Sequence, residues 1–108
     1  MSDGVTNMNN GYLHARESNY SQVIEDESGR IIVPCTVIDF DYDKDFIVAA
    51  QVENKDCFSL VSDKATPLYW IINCKSNKVY SYLSLEQYLD FKKEFRISER
   101  LKLKVERK

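Results

Sequence analysis

Asp39-Phe40-Asp41-Tyr42-Asp43-Lys44-Asp45 sets a carboxylate at every second position. Hard cations such as calcium draw several oxygens from one short segment, so this run is the first candidate for a metal loop. The run lacks the glycine that a calcium loop needs for its sharp turn, and the twelfth positions counted from Asp39 and Asp41 are Ala50 and Val52, which carry no carboxylate. In an extended chain all four Asp share one face, while Phe40, Tyr42 and Lys44 share the other. The run therefore reads as a solvated connection whose charges block edge pairing, with a weak calcium site as the competing reading. Asp41 and Asp43 remain candidate binding residues.

Cys35, Cys57, Cys74 and the lone His14 offer thiol and imidazole chemistry. Their wide separations contain no close ligand pair of the kind zinc sites use, and no local signature marks a Cys–His nucleophilic pair. Three cysteines are an odd number, so at least one is unpaired in a monomer, and buried free thiols are the simplest reading of all three. With 3 glycines in the chain, no phosphate-cradling loop, serine elbow or helical His pair is found. An enzyme is not expected, and no metal or cofactor is implied.

The aromatic supply is generous: 7 Tyr, 5 Phe and 1 Trp. Tyrosine and tryptophan suit interfaces because they bury a large area while keeping a polar end. Antiparallel sheets also favour aromatics. On alternation, Trp70 shares a face with Leu68 and Ile72, Tyr69 with Ile71, and Tyr80 with Tyr82. Tyr69, Tyr80 and Tyr82 are thus the aromatic candidates for a binding surface.

The elements that would hold these residues are mostly short strands. Tyr20–Glu25 and the β-branched run Arg30–Ile38 flank the turn Asp26-Glu27-Ser28-Gly29, and Pro34 puts the second at an edge or a bulge. Asp39–Asp45 is expected as a polar connection. Phe46–Val52 and Leu68–Cys74 are apolar on both alternating faces and predict central, covered strands. Cys57–Val61 reads as a short return strand, Ser62–Pro67 as a loop, and Lys75-Ser76-Asn77 as a hairpin turn into Lys78–Leu83. Ser84-Leu85-Glu86-Gln87 matches a capping box and opens the one clear helix, to about residue 95. Its apolar stripe holds Leu85, Tyr88, Leu89, Phe91 and Phe95, with Lys92 snorkelling from within it. Leu101–Val105 alternates strictly and reads as a last, one-sided strand.

These elements predict an α+β domain: mostly antiparallel β, with six or seven short strands in a curled sheet or small sandwich, and one helix packed on it. The two-sided strands need two covers, the helix on one face and a second layer of strands, or a partner, on the other. Residues 1–10 are polar and read as a flexible arm, with one domain over 11–108.

Charge sets limits on partners. Residues 1–89 carry 7 basic and 13 acidic side chains, and residues 90–108 carry 8 basic and 4 acidic ones, for a net charge of -2. A chain with this acidic balance is not expected to bind nucleic acid, and no apolar run approaches the ~18 residues of a membrane span.

Tyr69-Trp70-Ile71-Ile72-Asn73, followed by Lys75, Asn77, Lys78-Val79-Tyr80 and Leu83-Ser84-Leu85-Glu86-Gln87-Tyr88, resembles a hairpin-plus-helix pattern of small bacterial proteins. These are families of domains of unknown function, secreted or lipid-anchored. The resemblance covers residues 69–95 and, loosely, 46–52. The chain departs from the pattern at Asn73, in place of Asp, and at Ser81-Tyr82, in place of Gly-Pro. The resemblance implies an envelope or secreted location, with an export signal ahead of Met1 and residues 2–10 as a tether. The expected function is a non-enzymatic, envelope-associated binding domain with a protein or envelope ligand, or a homodimer. The alternative is a cytoplasmic inhibitor or immunity-type protein whose acidic half blocks a basic partner, and a third reading is a thiol enzyme on one of the cysteines.

Overall fold

The computed structural model describes residues 4–16, 21–54, 57 and 65–104. Its strands are β1 (Gly4–Asn7), β2 (Leu13–Arg16), β3 (Gln22–Glu25), β4 (Ile31–Val33), β5 (Val37–Tyr42), β6 (Phe46–Gln51), β7 (Leu68–Asn73) and β8 (Lys78–Leu83). One helix follows, α1 (Leu85–Glu94). The strands form two four-stranded antiparallel meanders, β1-β2-β3-β4 and β5-β6-β7-β8. The α+β class is as expected, with eight described strands rather than six or seven.

The second meander is the middle layer of three. Its β6 and β7 alternate between two separate cores. Ile47, Ala49, Trp70 and Ile72 face the first meander, where Ile24, Val33, Tyr12 and Met8 complete one core. Val48, Ala50, Tyr69 and Ile71 face the other way and pack with Tyr88 of α1 and with Ile97, Leu101 and Leu103 of the tail. The unbroken apolar runs of these two strands follow directly, because each side chain has a layer to enter. Helix and strands thus supply the two covers that the sequence required.

Ser84 caps α1 as predicted: its hydroxyl accepts from the Gln87 amide, and the Gln87 side chain accepts from the Ser84 amide. Of the predicted stripe, Tyr88 is fully buried, with Phe91 and Phe95 packed beside it, whereas Leu85 and Leu89 are exposed.

Several segments differ from expectation. Arg30–Ile38 is not one strand. It breaks at Pro34-Cys35-Thr36 into β4 and β5, which belong to different sheets. Pro34 has no ladder donor, and Cys35 is tied elsewhere by a disulfide. Asp39 to Tyr42 lie in β5, not in a connection. The connection shrinks to Asp43-Lys44-Asp45, where the Asp43 carboxylate accepts the Asp45 and Phe46 amides, both at 2.8 Å.

The tail segment 101–104 forms no ladder, although its alternation holds, with Leu101 and Leu103 buried and Lys102 and Lys104 exposed. Val105 and residues 58–64 of the predicted return strand and loop lie outside the described residues, as does Tyr20. Within the segment expected to be an arm, Gly4–Asn7 form β1, paired with β2, and Met8 enters the first core. Neither β1 nor β2 was anticipated.

Candidate functional site

The site is built around an irregularity in β8. Tyr69 pairs with Leu83 and Ile71 with Tyr80, so two residues, Ser81 and Tyr82, stand opposite the single residue Trp70. This is a β-bulge, and it reverses the side-chain phase of the strand. Tyr82 takes up the distortion at φ 53, in the left-handed region, a conformation that costs a non-glycine residue about 1–3 kcal/mol.

The expected pairing of Tyr80 and Tyr82 on one face is therefore incorrect. Tyr80 turns toward α1, with its ring 5.1 Å from both Phe91 and Phe95. Tyr82 goes to the opposite face and leans on Trp70 at 4.7 Å with 52% of its surface exposed. Tyr69 is buried and stacks on Tyr88 at 4.8 Å, so it belongs to the core.

Beneath Tyr82 lies a polar chain. The Trp70 indole Nε1 donates to Gln51 Oε1 at 2.8 Å, and Gln51 Nε2 donates to the Cys35 carbonyl at 3.3 Å. Asn54 Nδ2 donates to Thr36 Oγ1 at 3.0 Å. Gln51 is buried, so satisfying both ends of its amide removes the desolvation penalty of leaving it unpaired. Cys35 is bonded to Cys57, which corrects the reading of all three cysteines as free thiols; only Cys74 is free. A groove of about 290 Å³ opens above this chain. Val23, Ile31, Pro34 and Tyr82 line it around the disulfide, with Glu53 as its charged member.

The acidic run is elsewhere and largely engaged with the chain's own backbone. A second bulge, at Ile38, sends Val37 and Phe40 toward the first core and Asp39 and Asp41 toward the tail. Asp41 accepts the Lys102 amide at 3.3 Å, and Asp39 accepts the Lys104 amide at 2.5 Å. Asp41 and Asp43 thus anchor a tail and a turn respectively, apart from the Tyr82 groove. Among the described residues, no three His, Cys, Asp or Glu side chains converge as a metal-binding group.

His14 is buried between the sheets, stacked on Phe40 at 4.4 Å, with Nε2 3.1 Å from Gln22 Oε1. Burial lowers its pKa below the usual 6.5; the Gln22 contact opposes this and Arg16 adds to it. Burial pushes the Cys74 thiol up to about 11, against a hydrogen bond from the Asn10 side chain and with help from Asp43 and Asp45. A thiol so far from ionisation is a poor nucleophile.

Reading the sequence alone missed the Cys35–Cys57 pair, the phase change at Tyr82, and Gln51. For Gln51 a signal existed, since an amide inside a two-sided apolar strand must find buried partners.

Fold and groove together define a small two-sheet α+β domain with a disulfide-rimmed aromatic groove on one end. The chain belongs to the family described as Protein of unknown function (DUF3997), whose model matches residues 9–107. No curated protein and no solved structure matches it.

Proposed function

We propose that the chain is a non-enzymatic binding domain of the cell envelope, and that Tyr82 and the groove beside it are its contact surface. The observation that carries this reading is the Cys35–Cys57 disulfide. Structural disulfides persist in oxidising compartments and are rare where thiols are kept reduced. Tyr82 supports the binding half: a half-exposed aromatic in a costly backbone conformation is the kind of outlier that collects at recognition sites. The apolar Ile31, itself 54% exposed, extends the same surface.

Acid quenching of intact cells, followed by alkylation under denaturing conditions and mass analysis, tests the location. One modifiable thiol, Cys74, is expected, with Cys35 and Cys57 recovered as a pair. Three alkylated thiols would overturn the envelope reading. For the binding half, Tyr82→Asn suits the left-handed backbone and keeps the fold. It is expected to lose chemical cross-links that a photoreactive group at Ile31 forms on living cells, and unchanged cross-links would remove Tyr82 from the surface.

A further inference from the structure

The flank of α1 that the sheet does not cover has an arrangement of its own. Leu85 and Leu89, one turn apart, are 43% and 39% exposed. Continuing along the same flank, Lys93 and Arg96 follow, and Lys102 of the tail closes a shallow groove of about 540 Å³ beside them. None of these three cations enters a salt bridge among the described residues. Lys92 is different, because it donates to the Leu101 carbonyl at 2.9 Å and lies over the Tyr88 ring. One acid, Glu99, lines the groove. At 100° per residue Glu86 lies beside Lys93 at the edge of this flank, and Asp90 and Glu94 turn progressively away from Leu85 and Leu89.

We infer that this flank rests on an anionic phospholipid bilayer, with Leu85 and Leu89 entering the headgroup boundary and Lys93, Arg96 and Lys102 meeting lipid phosphates. The inference rests on the envelope reading for its location. Three cations clustered on one flank attract an anionic surface. A soluble polyanion would need only the cations and gives the two bare leucines nothing to enter. An apolar strip edged by cations is the pattern of a helix lying in a membrane interface, where each cation near an anionic surface contributes to attraction that salt screens.

The test is co-sedimentation of the full oxidised chain with vesicles of equal parts phosphatidylglycerol and phosphatidylcholine, against pure phosphatidylcholine. Binding to the mixed vesicles alone, weakening as salt rises, is expected. K93Q/R96Q/K102Q is expected to lower partitioning roughly a hundredfold, and L85S/L89S about tenfold. Both variants alter exposed residues and should unfold at the wild-type temperature. Absence of binding, equal binding to pure phosphatidylcholine, or wild-type partitioning of the glutamine variant would each overturn the proposal. A leucine variant that binds like wild type would also overturn it, because the contact would then be electrostatic alone. Vesicle binding decides the lipid contact, while the thiol state in cells decides the location, so the two failures are distinguishable.

Discussion

His14 shows how one buried side chain can tie stability to pH. It bridges the two meanders through its stack on Phe40, and its pKa is lowered chiefly by burial. Above about pH 6.5 the imidazole is neutral in both folded and unfolded chains, so it contributes no pH dependence there. As the pH falls below that value the unfolded chain takes up the proton first, and stability drops until the folded pKa is passed. The slope is about 1.4 kcal/mol for each pH unit between the two values. Thermal unfolding followed from pH 7 to pH 5 should show this loss, and His14→Phe, which keeps the stack on Phe40, should flatten it. An equally steep profile in the variant would assign the effect to the carboxylates instead.

At the level of elements, side chains can fasten a segment that has no ladder of its own. Asp39 and Asp41 accept the amides of Lys104 and Lys102, while Leu101 and Leu103 fill the core below. Charge-assisted bonds at such exposed positions contribute modestly. In Asp39→Ala/Asp41→Ala, hydrogen exchange at the Lys102 and Lys104 amides should accelerate about fivefold, the equivalent of about 1 kcal/mol. Exchange in β6 and β7 should not change. The same tail shows why its sequence was only half legible. Alternation reports which side chains are buried, not what the backbone amides bond to, and here their partners sit more than sixty residues earlier. The capping box was fully legible because all its atoms lie within four residues. β6 and β7 were legible because being buried on two faces leaves its mark on every position. The division of Arg30–Ile38 was only half legible: Pro34 marks an irregularity, but the tie that draws Cys35 away lies at Cys57, 22 residues on.

For the molecule as a whole, the disulfide joins the crossing between the two meanders to the chain that follows β6. Closing a loop of 22 residues restricts the unfolded chain by about 3 kcal/mol on loop-entropy grounds. Cys35→Ser/Cys57→Ser should therefore be less stable by that amount in denaturant titration, with the wild type matching it once reduced; coincident curves before reduction would show the bridge adds nothing. The central strands β6 and β7 of the middle sheet are covered on both faces, and Tyr82 reaches the surface from the edge strand β8. The bulge there has a further effect. It changes the parity of β8, so that the strand enters with Val79 toward one core and leaves with Leu83 toward the other. Delete Tyr82, and Ser81 alone would stand opposite Trp70 while Leu83 still paired with Tyr69 and faced the same core as Tyr80, so the ladder would close without moving the start of α1. Loss of Tyr82 should therefore leave the layers and the helix in place and strip only the ring that leans on Trp70.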